Sequence, residues 1–174
     1  MSVVVDFRVF TTLHPDKAKD TGDFVGHSVY SKLYFIENVL RVVVHSILSA
    51  QINPSWWEIA VGAEMRQKVQ EVRDEYLSSP EGTNPGRHII YYIYLGQLGE
   101  IIRTNSNQFS QLIPDIDRWV VNLERIRWPR NVVAHMNFPR KRDRDLIDRV
   151  FSDCKALVKS LEDSKQLELI IPEV

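Results

Sequence analysis

Cysteine is nearly absent from this chain. Cys154 stands alone among 174 residues, which excludes an internal disulfide and a cysteine-built zinc site. It falls in the apolar stripe of a helix and reads as a core residue in a reducing compartment. A surplus of one charge is missing too. The chain carries 22 Lys and Arg against 23 Asp and Glu, whereas a protein that coats DNA has a large basic excess. No apolar run approaches the roughly 20 residues that span a bilayer. The opening MSVVVDFRVF has no basic flank and meets Asp6 too early for a signal peptide. A cytoplasmic protein with no membrane partner is the expectation.

The loops that cradle nucleotides are also missing, with neither Gly-x-x-x-x-Gly-Lys nor Gly-x-Gly-x-x-Gly, and no Gly-x-Ser-x-Gly elbow marks a serine hydrolase. The histidines His14, His27, His45, His88 and His135 include no His-x3-His pair, and no Glu-x-x-His occurs for a di-iron core. No metal or other cofactor is expected. His45 sits in an apolar helix and reads as a hydrogen-bonded core residue.

What is present is helical. Apolar residues recur at three- and four-residue steps from about Phe24 to Ala50, through Val25, Val29, Leu33, Ile36, Leu40, Val43 and Ile47. SWWE opens a second helix, to about Ser78, with Ser55 and Glu58 at capping-box spacing. Pro80, Gly82, Pro85 and Gly86 mark a loop. The next apolar run is ambiguous until Leu95, Leu98, Ile101 and Ile102 set a helical step, and Gly96 with Gly99 suits close helix packing. Pro114 and the early acids Asp115 and Asp117 suit another helix start, which Pro129 should end or kink. A last helix, about Arg144 to Glu162, carries the stripe Ile147, Val150, Phe151, Cys154, Leu157, Val158 and Leu161. Residues 2–12 alternate like a strand, and 166–172 are short, β-branched and apolar, so a small terminal ribbon is expected. The fold class is an all-α, mostly antiparallel bundle in one domain over residues 1–174, with its helical core at about 24–163 and strand-like termini.

One segment gathers chemistry. Arg125, Arg127, Arg130, Arg140, Lys141, Arg142 and Arg144 lie within twenty positions that hold one acid, Asp143. Such a patch attracts a polyanion. Trp128 within it offers a ring on which a base can stack. The stretch RWPRNVVAHMN (127–137) adds Arg130-Asn131-x3-His135. Asn131 and His135, four apart, share a helix face. Arg130 supplies a phosphate clamp, and His135 a group that titrates near neutral pH.

RNVVAH resembles the signature of the HEPN superfamily: Arg, then a polar residue that is commonly Asn, then His four to six positions after the Arg. LYFIENVLRVVVHSIL, SWWE, IIYYIYLGQLGEII and WVVNLERIRWPRNVVAH resemble successive blocks of one HEPN branch, over about residues 24–138. In three respects the pattern differs: WP precedes Arg130, Met136-Asn137 stands where one branch has a His-x-Tyr extension, and the strand-like termini lie outside the core family pattern. The resemblance implies an all-α HEPN-like bundle and a metal-independent endoribonuclease of a toxin–antitoxin or antiviral defence system. It implies Arg130, Asn131 and His135 as catalytic residues, and Glu37-x3-Arg41 as a supporting pair facing the motif. It also implies a homodimer that joins two Arg–His sets, RNA as the substrate held by the basic segment, and a cognate antitoxin or defence-system protein as partner. The alternatives it leaves are a catalytically inactive HEPN module that binds a partner protein, a nucleotide or RNA, and an RNA-binding adaptor that does not cleave.

Overall fold

A helical rod from Pro15 to Gln51 forms the axis of the computed structural model, which describes residues 4–82 and 84–173. It comprises α1 (Pro15–Val25), a single π turn (Gly26–Tyr30) and α2 (Ser31–Gln51). The rod begins nine residues before the expected Phe24. Pro15 occupies the first turn, where a missing N–H costs nothing, and Lys19 pairs with Asp23 four residues on at 2.6 Å. Only Thr21 of α1 is buried, so this part shows no apolar rhythm. In α2 the rhythm is realised: Ile36, Val43, Val44, Ile47 and Leu48 are fully buried, each contributing about 1.5–3 kcal/mol by leaving water. A window of this rod, mean hydropathy 1.3, is long and apolar enough to cross a membrane by length and composition, against the expectation from uninterrupted runs; 44% of it is buried inside the protein.

Around this axis stand α3 (Trp56–Ala60), α4 (Ala63–Ser78), α5 (Leu95–Thr104), α6 (Ser106–Ser110), α7 (Ile116–Ala134) and α8 (Lys141–Ser164). α8 packs on α2 and α7, and α5 on α7 and α2, giving an all-helical bundle. The single helix expected from Ser55 to Ser78 is two, broken at Gly62. Ser55 does not cap. Asn53 makes that turn instead, its side chain accepting the Ser55 N–H at 2.7 Å, while Glu58 is drawn away to Arg66. Gly99 and Gly96 let α5 approach α7: a Cβ at Gly99 would stand 3.4 Å from Leu123, and one at Gly96 3.0 Å from Arg127. Cys154 is fully buried on α8, and burial pushes its thiol up to about 12.

The terminal ribbon does not form; no strand occurs among the described residues. Ser2 and Val3 lie outside them. Val4 to Thr12 coil around a 3₁₀ turn at Phe7–Val9, fixed by Asp6 accepting the Arg8 backbone N–H at 3.0 Å. The alternating Val5 and Val9 are more than half exposed, so the pattern buries nothing. At the other end, after a left-handed Lys165 and a bend at Gln166–Leu167, residues 168–173 cross the bundle without helix or strand, held mostly by side chains. The Ile170 N–H donates to Ser46 Oγ at 2.8 Å, the Tyr91 hydroxyl to the Pro172 carbonyl at 2.8 Å, and the His88 N–H to the Glu173 carbonyl at 3.0 Å. With its partners on α2 and the segment before α5, this strap has no neighbouring strand to pair with.

Trp56, fully buried, donates its indole N–H to His45 Nδ1 at 3.2 Å, which makes His45 the hydrogen-bonded residue its apolar helix suggested. The His88 ring lies edge-on to His45 with centroids 4.6 Å apart. Burial, then the neighbouring His45 and Arg73, hold His88 down at about 4, and burial lowers His45 as well. The unfolded chain therefore takes up protons as pH falls through about 6.5, where the folded protein does not. Stability is full above about pH 6.5, falls as pH drops toward 4, and levels below. The loss expected from His88 is about 2 kcal/mol, discounted for the solvent that still reaches the ring. Urea midpoints at pH 7.5, 5.5 and 4 should show this slope, and His88→Gln should flatten it; parallel profiles for both proteins would contradict the assignment.

Candidate active site

The motif helix α7 decides how its residues are presented. Pro129 neither ends nor replaces it: the helix continues five residues further, to Ala134. Proline there removes the bond to the Arg125 carbonyl and costs about 3 kcal/mol in a free helix. Here Pro129 is buried on the face it shares with Ile126 and Val133, also buried, while Arg125 is exposed. Packing of that face holds the helix through the proline. The true end comes at His135. Met136 N–H donates to the Val133 carbonyl and Asn137 N–H to the Val132 carbonyl, both at 2.9 Å, with Met136 in the left-handed region at φ 57°. This is a Schellman stop with methionine where glycine is usual.

Arg130 points from α7 to α2. Its Nε donates to Glu37 Oε2 at 3.3 Å, and Glu37 Oε1 accepts from Arg41 Nη2 at 2.6 Å. Arg41 also donates to Asn38 Oδ1 and to the Ile93 carbonyl, each at 3.0 Å. Glu37 is therefore a bridge between two guanidinium groups, its side chain 12% exposed and that of Arg130 26%. The Arg130 guanidinium also lies over the Tyr94 ring, 5.7 Å from its centre. Since Nε alone meets Glu37, the two terminal nitrogens keep four N–H donors for an anion.

A cleft of about 800 Å³ opens at this network. Tyr30 of the π turn with Tyr34, Glu37, Asn38 and Arg41 of α2 form one wall; Arg130, Val133, Ala134 and Met136 form another; Ile171 and Pro172 of the C-terminal strap close a third side. Arg130 also borders a second groove of about 440 Å³ between α5 and α7, with Arg127, Asn131, Tyr94 and Gln97. It stands on the ridge between the two.

The predicted residues are thus divided. Arg130, Glu37 and Arg41 come together across 93 positions of sequence. Asn131 faces the α5 groove. His135 is exposed at the end of α7 and does not line the 800 Å³ cleft; its carbonyl accepts from Asn137, which in turn accepts from Arg8 at 2.9 Å. Trp128, 65% exposed, lines a third groove with Gly99, Arg103 and Glu124, under the Arg127 guanidinium at 5.1 Å, away from the Glu37 network. Arg125 is exposed on α7. Arg140, Lys141 and Arg142 are exposed at the start of α8, Lys141 paired with Asp145 and Arg142 near Asp143. Arg144 is structural: it donates to the Pro139 carbonyl at 2.8 Å and packs on Phe24 and Phe138. Among the described residues no three His, Cys, Asp or Glu side chains gather as a ligand set.

Sequence reasoning missed Tyr30, Tyr34, Asn38 and the strap. For the first three a signal was there. Together with Glu37 and Arg41 they recur at helical steps down one face of an otherwise apolar helix, a polar stripe that a buried helix has no structural need of. The strap left no such trace. No protein-family model, curated protein or solved structure matches this chain.

Proposed function

We propose that this protein is a cytoplasmic, metal-independent endoribonuclease of the HEPN type, acting as a symmetric pair within a toxin–antitoxin or antiviral defence system. The observation that carries the reading is the Arg130 side chain lining a cleft, its guanidinium bonded to Glu37 through Nε alone. A guanidinium so fixed stabilises the charge that builds on a phosphate during attack, because it needs no reorganisation as the charge develops. Neutral His135 takes the proton of the RNA 2′-OH, the 2′-oxygen bonds to phosphorus, the bond to the 5′-oxygen breaks, and a second His135 protonates that oxygen. The products are a 2′,3′-cyclic phosphate and a 5′-OH end; DNA, lacking the 2′-OH, does not react. Asn131 positions the phosphate or His135. Because His135 lies outside the cleft of its own protomer, two copies are part of the reading, and a two-fold axis doubles the positive charge at the groove.

Incubating mixed cellular RNA with the protein in EDTA, and mapping the ends, tests it. Cyclic-phosphate ends made by the wild type and lost in His135→Ala are the expected result. A folded, dimeric wild type that cuts nothing sinks the nuclease reading. The second reading, a HEPN module that binds a partner protein, a nucleotide or RNA without cleaving, draws on that same exposed position of His135 and would then stand.

A further inference from the structure

We propose that the C-terminal strap is an inhibitory lid: closed as it stands, it keeps anions from the Arg41 end of the cleft, and it swings out as one unit to admit them. This rests on the nuclease reading and names a regulation of that same site.

Residues 168–173 are fastened lightly. They follow the left-handed Lys165 and the bend at Gln166–Leu167, and Leu167 is buried, which gives the segment a fixed root. Beyond that root neither helix nor strand holds the backbone. The fastenings are single bonds: the Ile170 N–H to Ser46 Oγ at 2.8 Å, the Tyr91 hydroxyl to the Pro172 carbonyl at 2.8 Å, and the His88 N–H to the Glu173 carbonyl at 3.0 Å. Arg87 adds an ion pair to Glu173 at 2.7 Å, but the two side chains are 73% and 69% exposed, and such a pair holds weakly. The posts stay in place when the strap leaves. Ser46 gives its own proton to the Val42 carbonyl at 2.7 Å, so opening orphans no donor on α2. The Tyr91 ring rests against Gly86, where a Cβ would collide with it. Burial of Pro172, and in part of Leu169, keeps the lid shut at rest. A segment with few buried apolar groups and isolated bonds opens at a free energy below that of global unfolding.

Charge decides what the lid does. Between Lys165 and Glu173 the strap carries two acids, Glu168 and Glu173, and no cation. It lies against a cleft with two guanidinium groups, Arg130 and Arg41, around the one carboxylate of Glu37. Burial raises the Tyr91 hydroxyl above its usual value and the nearby Arg41 opposes this, so the post that holds Pro172 stands at the Arg41 end. Closed, the strap offers a phosphate an apolar wall of Ile171 and Pro172, like charge behind it, and an Arg87 already paired. Opening removes the wall, frees Arg87 and releases the Tyr91 O–H as a donor to the entering anion.

The test is amide hydrogen exchange, followed by NMR on the whole chain, at Ile170 and His88, the two N–H groups that fasten the strap. Expected is one shared opening for both amides, at least a hundredfold more frequent than that of Val43 in buried α2. Tyr91→Phe keeps the ring and removes the hydroxyl. It should raise the opening about fivefold, the net contribution of one neutral hydrogen bond, and raise RNA cleavage in EDTA by the same factor. Glu173→Gln, at the surface, is the second variant should Tyr91→Phe melt early. Exchange of Ile170 and His88 only together with Val43, or independently of each other, would overturn the lid. Faster opening with cleavage unchanged or slowed would overturn its inhibitory role. Should no form cut RNA, the nuclease reading falls, and titration of the same proteins with inorganic pyrophosphate decides the lid alone. Binding tightened about fivefold in the variants keeps it; unchanged binding ends it.

Discussion

Replacing Arg130 with alanine is expected to lower RNA cleavage at least a hundredfold while moving the melting temperature by only a few degrees. The two halves of that result have separate causes. Stabilising charge at a reacting phosphate is worth several kcal/mol where the donor is already in place, and Glu37 places this one. Folding asks little of the same pair: its Nε–Oε2 separation is 3.3 Å, and Glu37 keeps the shorter bond to Arg41 when Arg130 is removed. A partly exposed ion pair of this kind contributes about 1 kcal/mol or less. Arg130→Lys sharpens the test. A lysine ammonium keeps the charge but has no Nε–H to give Glu37 while a separate pair of donors meets phosphate. It should recover little of the activity. A lysine variant as active as the wild type would show that charge alone suffices and that the Glu37 bridge is irrelevant to cleavage.

Trp56→Ala should cost about 3–5 kcal/mol of folding free energy, a large share of the roughly 5–15 kcal/mol that holds a domain together. Trp56 is fully buried, on a helix of five residues that has no stability of its own. Its ring meets Trp57 and His88 with centroids 5.8 and 6.2 Å away. Deleting it opens a cavity between α2, α3 and the segment before α5 and also strips His45 of its donor. Trp56→Phe separates these effects by filling most of the space without an N–H, and should cost about 1–3 kcal/mol through the orphaned acceptor and the smaller ring. Denaturant midpoints read both. An alanine variant with the wild-type midpoint would mean that the His45–Trp56–His88 cluster is not part of the folding core.

The periodic helices were legible because their cause is local. A stripe such as Ile147, Val150, Cys154, Leu157 and Leu161 repeats at the helical step and is buried as one face. Where the signal was polar or conflicting, it misled. α1 had too few apolar residues to show a rhythm, Asn53 outcompeted Ser55 for the turn, and the described part of the N-terminal alternation, residues 4–12, forms no strand. Pro129 is the instructive case: local chemistry predicts an end or a kink, and the helix does not end there, Pro129 being buried on the same face as Ile126 and Val133. The candidate site divides in the same way. Arg130, Asn131 and His135 could be read from their spacing, and Glu37 with Arg41 from the family resemblance. That Glu37 bridges both arginines, that His135 lies outside the cleft, and that Trp128 faces a different groove from Tyr34 could not. By itself, then, the amino-acid sequence determined a helical bundle and the helix that carries the motif, while wrongly adding terminal strands, since a helix face is set by neighbours three and four residues away. The cleft, its C-terminal wall and the partner of Arg130 were decided by tertiary structure alone, because they depend on which helix faces pack together across as many as 93 positions.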